Sequence, residues 1–187
     1  MPSSTLKLIT SYCERKSVLE FGSGKSTIEI GKVARNLVSI DTDQYYVKKY
    51  SAKARDLGLV ISVVHWNIGP ISKYGYPMPS LRFFFRNKYQ ASLEELISKL
   101  NLMGFNPDII FIDGRFRVAC FMICYKYFAK KNLLFFVDDY QTRNQYKVIE
   151  ELVGKPSKIF GDMALFHIKD IKNIDESKYK KSYSDPD

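Results

Sequence analysis

The ten residues from Val18 to Thr27, V-L-E-F-G-S-G-K-S-T, constrain this chain more than any other stretch. Val18, Leu19 and Phe21 read as a buried strand with an acid, Glu20, set among them. Gly22 and Gly24 supply a turn around Ser23, and Ser26, Thr27 and the Ile28-Glu29-Ile30 run open a helix. A strand that turns into a helix over two glycines brings backbone close to a ligand, because no Cβ stands in the way. Three cofactor families use such a turn, and spacing separates them. The G-K-S-T run suggests a phosphate-binding loop, but that loop needs a glycine with four residues between it and Gly24, and Leu19 stands there. A dinucleotide fingerprint would need glycine at Thr27. What remains is acid-x-G-x-G after a first strand, with Glu20 as the acid.

A second anchor follows. Asn36-Leu37-Val38-Ser39-Ile40 reads as the second strand, and Asp41 ends it, with Asp43 two positions on. A carboxylate there can accept from two ribose hydroxyls. The interval from Gly22 to Asp41 holds one helix and one strand, so the unit is βαβ. The plainer reading makes Asp41 and Asp43 a polar strand end and a helix cap.

With Glu20, Gly22, Gly24 and Asp41 at these positions, the chain resembles the class I S-adenosylmethionine-dependent methyltransferases. The resemblance implies a Rossmann-like α/β fold: a mostly parallel seven-stranded sheet, a closing antiparallel hairpin and helices on both faces. It implies S-adenosylmethionine as cofactor, with contacts from Glu20, Gly22, Ser23, Gly24, Ser26, Thr27 and Asp41. Ser26 stands where many members carry a third glycine.

The 187 residues, 45% hydrophobic and 14% aromatic, suffice for one domain with a real core. No stretch is long and apolar enough to span a bilayer, and Met1-Pro2-Ser3-Ser4 begins no secretory signal, so a cytoplasmic location is expected. Cys13, Cys120 and Cys124 show no C-x-x-C spacing; the latter two share an apolar helix face and read as core. The net charge of +9 fits a polyanionic partner such as RNA, a phosphate-bearing substrate, or plain solubility. Its lysines are spread along the chain, which favours the last.

Strands are predicted near 17–21, 36–40, 59–64, 108–112 and 133–137, with helical segments between, which means a parallel sheet. A first helix is expected over Thr5–Arg15 and another over about 142–153. Lys158–Ile168 reads as a hairpin turning at Gly161-Asp162. One domain therefore spans 1–170, followed by a polar tail, 171–187, expected to form a loose end. Residues 69–89 break the pattern with three prolines and aromatics interleaved with Lys73, Arg82, Arg86 and Lys88. They are expected to form a lid or substrate wall, with Tyr74 and Tyr76 as acceptor contacts, or else a surface loop covering the sheet edge.

The fourth strand ends in Asp113-Gly114-Arg115-Phe116-Arg117 and the fifth in Asp138-Asp139-Tyr140. Parallel neighbours bring these ends to the same rim as the glycine turn. Three converging carboxylates need neutralising, either by a divalent cation with oxygen ligands or by Arg115 and Arg117. The metal version resembles the magnesium-dependent O-methyltransferases of the catechol type and the macrocin-like sugar type, and it implies Asp113, Asp138 and Asp139 as metal ligands. Sugar-modifying members often carry a second acid where Arg115 stands. Asp113, Asp138 and Arg115 are the catalytic candidates, Arg117 and Tyr140 join the acceptor contacts, and Asp113 also borders the cofactor. By position alone, Asn67 is a candidate for the adenine edge and His65 for a packed structural residue.

The expected function is O-methyl transfer to a small molecule or sugar hydroxyl, assisted by magnesium. The alternatives are an RNA methyltransferase, although D/N-P-P-Y/F is replaced by Val137-Asp138-Asp139-Tyr140, and a nucleoside-triphosphate enzyme built on Gly24-Lys25-Ser26-Thr27. A non-catalytic interaction module would have no use for the converging acids.

Overall fold

The computed structural model describes residues 2–79, 82–175, 179, 185 and 186, and of 82–87 the backbone only. Strands β1 (Ser17–Phe21), β2 (Asn36–Asp41), β3 (Ile61–His65), β4 (Ile109–Ile112) and β5 (Leu134–Val137) alternate with helices. The helices are α1 (Ser3–Cys13), α2 (Lys25–Gly31), α3 (Gln44–Asp56), α4 (Arg82–Leu102), α5 (Arg117–Phe128) and α6 (Val148–Val153). β6 (Lys158–Phe160) and β7 (Met163–His167) form the hairpin. The sheet runs β3-β2-β1-β4-β5-β7-β6, parallel through β5, with β7 antiparallel to both β5 and β6. This is the expected seven-stranded sheet with a closing hairpin.

Alternation along each strand sorts the side chains into two cores. Leu19, Phe21, Ile110, Ile112, Phe135 and Val137 face α4, α5 and α6. Val18, Ile109, Phe111 and Phe136 face the other layer, where Ile9 and Cys13 of α1 and Ile30 of α2 cover them. α5 is buried from Arg117 through Tyr125, as its nearly all-apolar sequence demands. Cys120 and Cys124 are free and buried on it, and burial raises both thiols well above their ordinary value. They are core residues and poor nucleophiles.

Two segments differ from expectation. The 69–89 stretch is extended only in its first part, with a short bridge between Ile71 and Pro77; from Arg82 it is already α4. Helix begins once Pro77 and Pro79 are passed, because proline is excluded from a helix interior. The tail is not wholly loose: Tyr179 is 3% exposed within the larger core, and the carbonyl of buried Pro186 accepts from Phe116 N–H at 3.0 Å.

Strand order reverses between β1 and β4, and a parallel sheet opens a crevice at such a point. Asp113 N–H donates to Phe21 O at 2.9 Å, and Gly22 N–H to Ile40 O at 2.8 Å, so the three strand ends are stitched together there. Gly22 has φ 97°, and a Cβ on it would stand 2.8 Å from the Asp113 carbonyl group. Gly24 is different: its backbone is extended (φ −159°), and a Cβ there would meet nothing nearer than Ser26 Oγ at 3.8 Å. The fold therefore demands glycine at 22 and not at 24. Gly22→Ala should lower unfolding stability by on the order of 2–3 kcal/mol, whereas Gly24→Ala should stay within about 0.5 kcal/mol of wild type in urea denaturation.

Candidate functional site

A buried carboxylate fixes the glycine turn from beneath. Glu20 is fully buried in β1 and accepts hydrogen bonds from Ser26 Oγ (2.6 Å), Thr27 Oγ1 (2.6 Å) and Ser39 Oγ (2.7 Å). Thr27 Oγ1 in turn accepts from Gly24 N–H at 2.8 Å, and the hydroxyls of Ser23 and Ser39 lie 2.9 Å apart. One acid thus ties β1, β2 and the start of α2 into a single polar knot. Burial pushes Glu20 up to about 7, outweighing the three hydroxyl donors that favour the charged form.

Above the turn lies a cavity of about 290 Å³, floored by Gly22, Ser23, Gly24 and Ser26. Asp41, Asp113, Arg115 and Tyr74 also line it, so half of the sequence-predicted residues meet there. The Asp41 carboxylate accepts from Ser23 N–H (2.6 Å) and from Asp43 N–H (2.8 Å), one bond to each oxygen. Each oxygen keeps a lone pair, which is what two vicinal hydroxyls require. Burial raises Asp41 above its ordinary value, with the two backbone bonds opposing. Asp43 is the N-cap of α3, accepting from Tyr45 N–H at 2.8 Å, so the plainer reading holds for that residue.

Several expected contacts are placed elsewhere. Glu20 and Thr27 lie under the floor and act by positioning it. Asn67 is exposed, and its Oδ1 accepts from Gly69 N–H at 2.9 Å, so the side chain turns into its own loop and off the cavity. The side of the cavity is formed instead by Trp66, whose N–H donates to Asp41 O at 2.9 Å. Thr42 and Tyr46 also line it, and none of the three was expected. Tyr46 was signalled only by lying one helical turn past Asp43. His65 sits outside, its Nε2 3.3 Å from Thr42 O. Tyr140 is in the core with its hydroxyl donating to Glu150, and it does not line the cavity.

A strap crosses the mouth. Tyr74 (φ 61°) and Gly75 (φ 73°) turn it, and Thr42 Oγ1 donates to Gly75 O at 3.0 Å. From the other side, Arg115 Nε donates to Tyr74 O at 3.0 Å while its guanidinium lies 3.9 Å from the centre of the Tyr76 ring. Tyr76 is thus held by Arg115 under the strap, and Tyr74 stays 74% exposed at the rim.

Beyond Asp113 the acids converge as expected, but around an arginine. The Arg117 guanidinium is bridged to Asp139 Oδ2 (3.0 Å) and Asp113 Oδ1 (3.4 Å), and it also donates to Asp138 O (2.6 Å) and Gly114 O (3.1 Å). Asp113 is raised above the carboxylate range by burial and then by the adjoining Asp138, with which it shares a hydrogen bond. Among the described residues, no group of three or more His, Cys, Asp or Glu side chains is placed to hold a metal ion. Of the donor set expected for magnesium, Asp113 and Asp139 are engaged with a guanidinium and Asp138 with Asp113, and the residues as placed do not fit the ion.

No family model and no curated protein matches the chain. Solved structures do. A methyltransferase-like protein from Silicibacter pomeroyi is 22% identical over 100% of this chain and 96% of its own, with a TM-score of 0.86. A 16S rRNA methyltransferase from Thermus thermophilus, bound to AdoMet and guanosine, is 14% identical over 91% of this chain and 43% of its own (TM-score 0.58). The C-terminal domain of a precorrin-6Y methyltransferase from Rhodobacter capsulatus is 10% identical over 90% and 85% (TM-score 0.56). The fold is the Rossmann-like fold of the class I methyltransferases. No helix among the described residues is long and apolar enough to cross a membrane.

The state of Glu20 makes a stability prediction. Its folded value of about 7 lies above the ordinary 4.5, so between these the unfolded chain binds fewer protons. The stabilisation is complete below about 4.5 and is lost as the pH rises to about 7, with a slope of at most ~1.4 kcal/mol per pH unit. Denaturation across that range should show this loss in wild type and a flatter profile in Glu20→Gln; equal slopes would mean that Glu20 does not titrate there.

Proposed function

We propose that this chain is an S-adenosylmethionine-dependent methyltransferase acting on a hydroxyl of a small molecule or sugar. The observation that carries the proposal is Asp41 beside the glycine floor. Its carboxylate is fixed by two backbone N–H groups and keeps an acceptor site on each oxygen, at the switch point of the sheet. The extended Gly24 supports it: glycine is not needed there by the backbone, and it leaves the cavity floor open to a ligand.

The cofactor, when bound, supplies an electrophilic methyl group on a sulfonium. The protein's part is to hold and orient both partners and to accept a proton. Asp41 takes the ribose hydroxyls, and Trp66 and Ile40 offer an apolar wall for the base. Asp113 lines the cavity on the side of the second acid cluster, and burial makes its carboxylate a stronger base than an exposed one. In this reading Asp113 receives the acceptor's hydroxyl proton, with Asp138 alongside. Arg115 holds the strap over the mouth and so keeps water out.

One observation favours an RNA acceptor as the second reading. On α3, beside the cavity, Lys49 lies 5.7, 6.0 and 5.7 Å from the ring centres of Tyr45, Tyr46 and Tyr50, a basic aromatic face of the kind that stacks bases. Binding of a single-stranded RNA that weakens steeply with salt and is lost in Lys49→Ala would favour it.

Calorimetric titration with S-adenosylhomocysteine tests the main reading. Wild type should bind, Asp41→Ala should bind at least about tenfold more weakly for the loss of two hydroxyl contacts, and Asp113→Asn should bind normally but lose transfer. No binding by folded wild type would defeat the proposal, and full activity of Asp113→Asn would remove its role as base.

A further inference from the structure

Arg117 is a charged side chain only 4% exposed, at the first turn of α5, and every direction in which its fork points is answered. Nε meets Gly114 O, Nη1 meets Asp138 O, and Nη2 lies between Asp139 and Asp113. The guanidinium therefore joins the loop after β4 to the loop after β5, the same two loops whose acids would hold a divalent ion.

The backbone on both sides is bent to serve this contact. Phe116, just before Arg117, has φ 56°, and Asp139 has φ 56° as well. Neither is glycine, and such left-handed conformations persist only where surrounding contacts fix them. Phe116 N–H, which α5 itself leaves without a partner, is answered by Pro186 O. Asp139 is held by Arg117. A small cation needs several carboxylate oxygens turned inward on one centre. Here one oxygen of Asp139 and one of Asp113 are turned to a single guanidinium nitrogen, Nη2, while backbone carbonyls take Nε and Nη1, so the place between the two acids is filled.

We infer that Arg117 is the built-in cation of the acceptor site: it occupies the place between Asp113 and Asp139 that a divalent ion would take, so the site works without a metal. This rests on reading the rim as a methyl-transfer site, but its test does not need activity. Arg117 is then a positioning residue, fixing where Asp113 and Asp138 stand.

The experiment is calorimetric titration of the full chain with manganese chloride and with magnesium chloride, in wild type, Arg117→Lys and Arg117→Gln. Wild type should give no saturable heat, and its melting temperature should not move with either salt or with a chelator. In Arg117→Gln the three acids lose their counter-charge, so a saturable manganese site should appear and the melting temperature should rise with the metal. Arg117→Lys keeps a cation and should bind manganese at least tenfold more weakly than Arg117→Gln. Should Arg117→Gln fail to fold, wild type alone decides. Saturable metal uptake by wild type that Asp138→Ala abolishes would overturn the inference, as would a folded Arg117→Gln that takes up no metal. S-adenosylhomocysteine is titrated into the same samples: its failure to bind wild type would sink the methyltransferase reading and leave the metal result standing.

Discussion

Three hydroxyls aimed at one buried carboxylate are the interaction on which the rest of the site depends. Glu20 draws Ser26 and Thr27 back under β1 and Ser39 across from β2, and through Thr27 it fixes Gly24. Without that knot the turn would have no reason to lie flat against the strand ends. Ser23 N–H would not then be presented to Asp41. The acid of the acid-x-G-x-G pattern is therefore a structural member: it does not itself line the cavity, yet through Ser26 and Thr27 it fixes residues that floor it. A buried acid is a costly way to hold a loop, and it is tolerated here because Oε1 accepts from Ser26 and Oε2 from Thr27 and Ser39.

The second constraint is the close approach of β1 and β4. Gly22 and Gly114 pass with backbone against backbone, and a Cβ on Gly114 would stand 3.0 Å from Gly22 N. That contact places the glycine-turn half of the rim and the acid half at a fixed separation. It also explains why the G-R-F-R segment begins with glycine, which the sequence offered no means to interpret.

Much of this was legible from residues alone, for identifiable reasons. The strands are apolar runs with strong ends, and all five expected parallel strands lie within about two residues of their predicted limits. The Gly161-Asp162 turn marked the hairpin. What failed to show was set by tertiary packing. Three prolines hid the start of α4. In the tail, average polarity masked Tyr179 and Pro186, which are buried one at a time. In the acid cluster, sequence order brought Asp113, Asp138 and Asp139 together but could not say which oxygens face inward, because that depends on the left-handed turn at Asp139. The choice between a metal and an arginine was left open in the sequence for the same reason. Asn67 and Trp66 are neighbours, and only the register of β2 against β3, which pairs Asp41 with His65, decides that the next residue, Trp66, bonds back to Asp41.

The bond between Pro186 and Phe116 implies a timetable. The hydrogen bonds that tie Glu20 and Asp41 to the glycine turn span only short loops, which cost little entropy to form. The rim around Arg117 includes a contact between residues 116 and 186, far apart along the chain. During synthesis the glycine turn and Asp41 can assemble while the later strands are still being made. The helix bearing Arg117 receives its cap only afterwards. A newly made chain would thus form its glycine turn before the rim around Arg117 has taken final shape.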